Sequence, residues 1–397
     1  MSMFSGVQEL PANIVLGLNA ECVADTFPDK INLTIGAYRD NAGLPVVLKS
    51  VREAETYIYQ SKMDNGYLPQ DGDPSFTYHS KILLFGEEHK VIKEHRTHTI
   101  QGVSGTGSLY IGFNFLKKNF PGIKCIIPNI SWENHKTILG ELGIEYSTYR
   151  YADSSGLHLD FDGFLEDVRQ ADEGTVVLIH MCAHNPTGID PTTDQWGQLL
   201  EVIKERNHLP FFDAAYQGFV TGNPDVDAYA VRTFADAGCE MLVASSFSKN
   251  FGLYGHRAGA LHVVSREGMT IPAIASQLRV VARALYSTCP AHGARIVAAV
   301  LSDPERKALW KSECFEMATR LSETRATLLE ELERQNVKGD WSHLATQKGM
   351  FSFSGINPTT VQRLKDEYHI YLIGNGRISL AGLNTTNVTI FVNALRE

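Results

Sequence analysis

A lysine lies among small, hydroxylated and cationic residues in the stretch SFSKNFGLYGHR, which runs from Ser246 to Arg257. The apolar run before it predicts a buried strand, so Lys249 is expected at a strand's carboxyl end, where open α/β sheets bind ligands. A lysine amine held there can form a Schiff base with an aldehyde and later carry protons, while Ser246 and Arg257 suit a phosphate. A solvated loop lysine is the alternative, but these neighbours favour the Schiff base.

A second candidate phosphate site precedes a predicted helix, in the run Ser104-Gly105-Thr106-Gly107. Free backbone N–H groups and the positive end of the helix dipole attract anions at such a position. A plain helix cap is the alternative interpretation. The glycine spacing is not GxGxxG, which argues against a nucleotide-binding oxidoreductase, a class with a similar alternation of strands and helices.

Two further polar residues follow predicted strands of the central region. Asp213 ends the apolar strand 209–213, where an unpaired carboxylate would be costly to bury. It is therefore either exposed at the sheet edge or paired with a cationic group, and Tyr216 lies three residues further on. Asn185 lies in the turn 184–188 and precedes Pro186, which makes this bond a candidate cis peptide.

The order of elements predicts an α/β fold. Strands at 175–180 and 209–213, with a helix from 192 to about 207 between them, indicate a parallel sheet with helices on its faces. A long amphipathic helix is predicted from Asp303 to about Asn336, and the strands and helix after it form a small α+β unit. The chain of 397 residues is long enough for two domains.

Composition excludes several classes of function. The formal net charge is -9 and the sequence has no basic run, which argues against nucleic acid or an anionic membrane as partner. No apolar stretch approaches the ~20 residues needed to span a bilayer, and the N-terminus resembles neither a signal nor a transit peptide, so a cytoplasmic location is expected. The six cysteines are scattered, so we expect reduced thiols, no disulfide and no metal site.

The stretch from Ser246 to Arg257 resembles the pyridoxal-phosphate attachment site of class I aminotransferases, most closely the aspartate aminotransferases, and the resemblance extends over nearly the whole chain. It implies the fold-type I architecture of pyridoxal-phosphate-dependent transferases. A large domain, 46–316, would hold a mostly parallel sheet flanked by helices, and 13–45 with 317–397 would form a small α+β domain. The family also implies a homodimer with shared active sites, to whose second subunit the arm 1–12 crosses.

The resemblance assigns the chemistry to four residues. Lys249 would form the Schiff base and move protons, and Asp213 would keep the ring nitrogen of the cofactor protonated. Tyr216 and Asn185 would contact the phenolic oxygen of the same ring.

The resemblance also implies how the remaining parts of the cofactor are held. Trp132 would lie on the pyridine ring, and His135 would support the carboxylate beneath it. The phosphate would be bound by Ser104, Gly105, Thr106, Ser246 and Arg257, and by Tyr67 reaching in from the other subunit.

Two arginines would select the substrate. Arg377 would bind the α-carboxylate and Arg283, donated across the dimer, the side-chain carboxylate of aspartate or glutamate. The other substrate contacts implied are Gly36, Ile35, Trp132 and Asn185.

The implied activity is reversible amino transfer between L-aspartate and 2-oxoglutarate, giving oxaloacetate and L-glutamate with ping-pong kinetics. The family usually has Asn-Pro-Pro where this chain has Thr288-Cys289-Pro290. A broad-specificity enzyme that also accepts tyrosine and phenylalanine is therefore the alternative. A non-catalytic binding relative is a further alternative, against which the joint presence of Lys249, Asp213, Arg283 and Arg377 argues.

Overall fold

The computed structural model describes residues 2–396, and helices alternate with strands along much of the chain. The helices are α1 (Ile14–Ala24), α2 (Lys49–Gln60), α3 (Pro74–Phe85), α4 (Lys90–Lys93), α5 (Ser104–Asn119), α6 (Glu133–Leu142), α7 (Phe161–Gln170), α8 (Thr193–Glu205), α9 (Pro224–Asp227), α10 (Tyr229–Asp236), α11 (Ile271–Tyr286), α12 (Ala291–Leu301), α13 (Pro304–Arg334), α14 (Pro358–Tyr368) and α15 (Asn387–Arg396). The strands are β1 (Ile31–Asn32), β2 (Thr97–Val103), β3 (Lys124–Pro128), β4 (Glu145–Tyr149), β5 (Val176–His180), β6 (Leu209–Ala214), β7 (Met241–Ser246), β8 (Ala258–Val264), β9 (Phe351–Phe353), β10 (Ile370–Tyr371) and β11 (Arg377–Ser379).

The larger sheet has seven strands in the order β2-β8-β7-β6-β5-β3-β4. Neighbouring strands are parallel, except that β8 is antiparallel to both β2 and β7. The carboxyl ends of β2, β5, β6 and β7 therefore lie on the same side of the sheet. The register pairs His180 with Asp213 and Asp213 with Ala244, which sets the ends of three strands side by side.

Both faces of this sheet are buried, which explains why its central strands are almost wholly apolar. On β6, the ring of Phe211 packs against Phe113 of α5, with ring centroids 4.7 Å apart. The next residue, Phe212, points to the opposite face and packs edge-on against Phe234 of α10 at 5.2 Å. The mostly parallel sheet flanked by helices, expected from the sequence, is confirmed.

Several helices begin at the sequence signals expected of them. Asp73 and Asn357 each precede a proline at the first helical position and accept a backbone N–H of the first turn, at 3.0 and 2.9 Å. Thr192 and Gln195 form a reciprocal capping box at the start of α8. Helix α5 has no side-chain cap in the described part of the chain, so its first N–H groups are available to a ligand.

The N-terminal segment and the C-terminal region share backbone pairing. Strand β1 is parallel to β10, with Ile31 opposite Ile370, and β9 is antiparallel to β11, with Arg377 opposite Phe353. Helix α13 is 31 residues long and packs against α2, α12 and α15. The long helix expected from the sequence is confirmed. The domain boundaries given above stay a prediction.

The predicted arm consists of turns and extended chain, and Met1 lies outside the described residues. Its side chains Met3, Phe4, Val7 and Leu10 are exposed. That this arm crosses to a second subunit stays a prediction.

All six cysteines are buried free thiols. Between residues 2 and 396, no helix is both long and apolar enough to cross a lipid bilayer.

A buried carboxylate on α13 caps the start of α2. Glu313 accepts the backbone N–H groups of Lys49 and Ser50 at 2.5 and 3.2 Å, and the Ser50 hydroxyl at 2.5 Å. We expect Glu313→Ala to lower the free energy of unfolding by about 2 kcal/mol, because it leaves buried donors unpaired. Denaturant unfolding followed by circular dichroism measures the change. The exposed Glu316→Ala on the same helix is the control, and an equal effect of both variants would contradict the capping role.

Candidate active site

A cavity of about 240 Å³ lies at the carboxyl ends of β5, β6 and β7 and at the start of α5. Most of its lining residues have polar side chains. It is lined by Gly36, Ser104, Gly105, Thr106, Leu109, Trp132, His180, Asn185, Asp213, Ala215, Tyr216, Ser246, Ser248, Lys249, Tyr254 and Arg257.

Lys249 provides the amine of the cavity. Its Nζ lies 5.0 Å from the centroid of the Tyr216 ring. Burial lowers the pKa of Lys249 below its ordinary value, and the charge of Arg257 lowers it further, while Asp213 acts in the opposite direction. A lowered pKa increases the fraction of neutral amine at physiological pH, which is the form that attacks a carbonyl carbon.

Asp213 provides the carboxylate, and two histidines surround it. Its Oδ2 lies 3.0 Å from Nε2 of His135 and 3.8 Å from Nε2 of His180. Burial alone would raise the pKa of Asp213, but the His135 hydrogen bond and the charges of both histidines and Lys249 outweigh it, so the pKa is lowered. Burial also lowers the pKa of His180 to about 3. Asp213 is therefore ionised at neutral pH and His180 is neutral.

His135 is itself held from the other side. The Ser131 hydroxyl lies 2.9 Å from Nδ1 of His135, and the His135 ring is fully buried. Both ring nitrogens therefore have partners, which fixes the ring plane and with it the approach to Asp213.

The opposite end of the cavity is built for an anion. Ser104, with φ of 62°, turns the chain from β2 into the uncapped helix α5. Its hydroxyl lies 3.2 Å from that of Ser246 and 3.0 Å from that of Ser248. Arg257 lines the same cavity, and burial lowers its pKa from the usual value. Hydroxyls, helix N–H groups and a guanidinium make a phosphate-binding set.

Close backbone packing brings these parts together. Gly259 of β8 lies so near Ser104 that a Cβ there would be 2.4 Å from the Ser104 carbonyl carbon and 2.7 Å from its Cα. The absence of a side chain at this position therefore allows the start of α5 to lie against β8.

The turn that carries Asn185 lies between the two ends of the cavity, and the Asp190 side chain holds it by hydrogen bonds. Asp190 accepts the backbone N–H groups of Ala183 and His184 at 2.8 and 3.0 Å, and the Asn185–Pro186 bond is cis. Asn185 is buried, its Oδ1 has no partner among the described residues, and its Nδ2 lies 3.5 Å from the Tyr216 hydroxyl. This amide oxygen is thus left for a ligand donor.

Arg377 lies beside the cavity, on the C-terminal unit. Its Nη2 donates to the carbonyl of Thr34 at 2.6 Å, and its guanidinium carbon lies 4.5 Å from the centroid of the Phe351 ring. Burial lowers the pKa of Arg377, opposed by Tyr216. Its Nε has no partner in residues 2–396, so the guanidinium keeps a free donor edge for a carboxylate.

The cavity of one chain contains most, but not all, of the predicted site residues. Tyr67 is 97% exposed and lines a separate cleft with Thr288 and Cys289. Arg283 is exposed on the last turn of α11. Gly36 lines the cavity, whereas Ile35 is not among its lining residues.

Five lining residues were not predicted, of which Leu109 and Ala215 are apolar and His180, Ser248 and Tyr254 are polar. His180 is the last residue of β5 and pairs with Asp213, the penultimate residue of β6, so its position at a strand end could have indicated it. Ser248 and Tyr254 lie within the stretch first singled out, but residue type alone did not separate them from ordinary loop residues.

The donor set fits pyridoxal phosphate. The anion-binding end matches its phosphate, Lys249 its aldehyde, Asp213 the ring N–H, and the unpartnered Asn185 Oδ1 a protonated phenolic oxygen. His135, His180 and Asp213 also bring one potential metal ligand each within 4.8 Å of one another. That the protein holds no metal stays a prediction.

The sequence model of the family "Aminotransferase class I and II" matches residues 28–395. The chain is 46% identical to the cytoplasmic aspartate aminotransferase of Dictyostelium discoideum, over all of this chain and 90% of that one. It is 41% identical to the mitochondrial aspartate aminotransferase of Gallus gallus, over all of this chain and 94% of that one.

Two solved structures superpose on the whole chain. One is the aromatic-amino-acid aminotransferase from Burkholderia pseudomallei, covalently bound to pyridoxal phosphate. Its TM-score is 0.97 at 41% identity, and the superposition covers 99% of that chain. The cytoplasmic aspartate aminotransferase from Giardia lamblia has a TM-score of 0.97 at 40% identity and is covered to 98%.

The contact between Gly259 and Ser104 predicts a loss of cofactor binding. In Gly259→Ala the new methyl group displaces the start of α5, so we expect the dissociation constant of pyridoxal phosphate to rise by about 10-fold or more. Absorption titration of the apo-protein measures it. Gly197→Ala in α8, where a Cβ meets nothing within 4 Å, is the matched control.

A folded Gly259→Ala protein with unchanged affinity would contradict this account of the anion-binding end. If that variant does not fold, Gly105→Ala is the milder test, because its Cβ would lie 3.2 Å from the Ser246 Cβ.

Proposed function

The chain belongs to the class I and II aminotransferases, and on this premise we propose that it is a pyridoxal-phosphate-dependent aspartate aminotransferase. The proposed reaction is reversible amino transfer between L-aspartate and 2-oxoglutarate, giving oxaloacetate and L-glutamate. One observation carries the proposal: a lysine of lowered pKa lies between an anion-binding helix start and an ionised buried carboxylate. The full-length aspartate aminotransferase relatives support the choice of substrate.

When bound, pyridoxal phosphate supplies an aldehyde that bonds covalently to an amine and a protonated ring that withdraws electrons from the substrate α-carbon. Asp213, ionised and held by His135, keeps the proton on the ring nitrogen. Lys249 Nζ would take the proton from the substrate α-carbon and pass it to the carbon that comes from the cofactor's aldehyde. Each half-reaction releases one product before the next substrate binds, so ping-pong kinetics are expected.

Arg377 is proposed to orient the substrate. Its Nε has no partner among the described residues, and a guanidinium binds a carboxylate through two parallel hydrogen bonds. The Phe351 ring beneath it and the Thr34 carbonyl beside it limit the directions in which it can point. The α-carboxylate common to all amino acids is the proposed ligand.

Selectivity for aspartate is proposed to depend on a second subunit. Tyr67 and Arg283 lie outside the cavity of their own chain and are exposed, which agrees with the proposal that they complete the cavity of the other subunit in a homodimer. A substrate without a second carboxylate would leave Arg283 unpaired. Losing one partner of a buried charge pair costs about 2–5 kcal/mol, or at least ~30-fold in kcat/KM.

Broad specificity for aspartate and aromatic amino acids is the second candidate. Two observations favour it: the similarity to the Burkholderia pseudomallei enzyme and the run Thr288-Cys289-Pro290. An Arg283 able to turn into solvent would remove the penalty for an aromatic side chain.

We also propose a cytoplasmic location, supported by the cytoplasmic relative from Dictyostelium discoideum. Mitochondrial and chloroplastic relatives match over similar lengths.

The function is tested by absorption spectra of the protein loaded with pyridoxal phosphate, before and after L-aspartate without an oxo acid. We expect the visible band to fall as a near-ultraviolet band grows, because the first half-reaction needs no second substrate. The Lys249→Ala variant is the control and should show no such conversion. A wild-type response to tyrosine but not aspartate would favour an aromatic specificity, and no band after added cofactor would contradict the aminotransferase proposal.

Mixing two inactive variants tests the shared active site. In a hybrid of Lys249→Ala with Arg283→Ala, one site would combine the intact Lys249 of one subunit with the intact Arg283 of the other. We therefore expect aspartate turnover to reappear on mixing under subunit exchange, to about half that of the wild-type dimer per hybrid. The unmixed variants are the controls. If Arg283 serves its own chain, no activity returns.

A further inference from the structure

The Tyr254 hydroxyl connects the lysine loop to the segment that covers the cavity. Tyr254 lines the cavity together with Lys249. Its oxygen accepts the backbone N–H of Tyr38 at 2.8 Å, a contact between positions 216 residues apart in the chain. Neither residue belongs to the set that the sequence pointed to.

The covering segment, residues 34–38, makes few main-chain hydrogen bonds, and the Thr34 N–H donates to Oδ1 of Asn32 at 3.1 Å. Before it, the Leu33 N–H donates to the Tyr371 carbonyl at 2.8 Å, and the Thr34 carbonyl accepts from Arg377 at 2.6 Å. Within the described chain, residues 35–37 make no backbone hydrogen bond. The Tyr254 hydroxyl therefore binds the next main-chain group to be anchored after Thr34.

Gly36 lies between these two attachment points and faces the cavity. Gly36 packs closely against Phe351: a Cβ at Gly36 would lie 2.5 Å from Cζ of that ring. Hydrogen bonds from Arg377 at one end and to Tyr254 at the other therefore help to hold this wall, together with the packing of the buried Tyr38 ring against Phe219 and Arg320.

The hydroxyl has the right chemistry for a permanent acceptor. Burial raises the pKa of Tyr254 to about 12, so it keeps its proton at neutral pH. Its lone pair receives the Tyr38 N–H, and its own proton has no acceptor among residues 2–396. The contact is consequently insensitive to pH over the physiological range.

We propose that Tyr254 is a positioning residue that holds segment 34–38 against the cavity and so sets the wall that the substrate meets. The proposal rests on the aminotransferase function only for its kinetic consequence. Loss of the hydroxyl frees the segment, so substrate binding weakens, while Lys249, Asp213 and the anion-binding end are unchanged. Tyr254 acts through the segment, since its hydroxyl contacts the main chain of Tyr38.

Tyr254→Phe tests this in the holoenzyme by two measurements. Hydrogen exchange, followed by mass spectrometry of peptides that contain residues 34–39, should be faster in the variant. The KM for L-aspartate and 2-oxoglutarate should rise by about 3- to 10-fold, the effect of losing one hydrogen bond, with kcat and the cofactor spectrum within about 2-fold of the wild type.

Tyr149→Phe is the matched control, because the buried Tyr149 hydroxyl donates to the Leu178 carbonyl at 2.9 Å, away from the cavity. It should change neither the exchange of 34–39 nor KM. Unchanged exchange in Tyr254→Phe would overturn the proposal, as would a fall in kcat with KM unchanged, which would give Tyr254 a direct role in the chemistry. If the wild type does not convert aspartate, the proposed function fails, and the exchange measurement alone decides the role of Tyr254.

Discussion

An ionised carboxylate at the buried end of a strand is the constraint around which this structure is arranged. Asp213 is buried on β6, whose Phe211 and Phe212 pack into the apolar clusters on the two faces of the sheet, and a charge in such surroundings is costly unless it is compensated. His135, fixed by Ser131, compensates part of it at 3.0 Å. The remaining negative charge of Asp213 is left for a cationic ligand in the cavity. Compensation of this charge therefore serves both the stability of the fold and the binding of a ligand.

The sheet topology brings the charged and polar groups of the cavity close together. Because β5, β6 and β7 are parallel, the polar residues that end them lie side by side, and the antiparallel β8 brings Gly259 against Ser104 at the start of α5. The carboxylate, the amine and the anion-binding end are thus carried by rigid elements, which favours precise placement of a bound cofactor. The residues that meet the substrate are different. Gly36 and Arg377 belong to the segments paired through β1, β10 and β11, which are short.

This division separates two kinds of function. In the proposed assignment, elements of the large sheet hold the groups that every reaction of this cofactor needs, whereas the N- and C-terminal segments and a second subunit supply the groups that choose a substrate. The contact of Tyr254 with Tyr38 joins the two sets directly. A family that keeps the first set and varies the second can change substrates without changing its chemistry, which agrees with the likeness of this chain to both aspartate and aromatic aminotransferases.

The sequence by itself determined the class of fold and the chemistry of the cavity, because apolar strands that end in polar residues and a lysine flanked by Ser246 and Arg257 are local patterns. It also indicated the anion-binding start of α5 from Ser104, Gly105 and Thr106. Only the tertiary structure decided that His180 and Tyr254 share this cavity and that Arg377 binds the Thr34 carbonyl, since these contacts join positions far apart in the chain. It likewise decided that Tyr67 and Arg283 lie outside the cavity of their own chain, because which side of a folded chain a surface residue faces follows from packing and not from its neighbours in sequence.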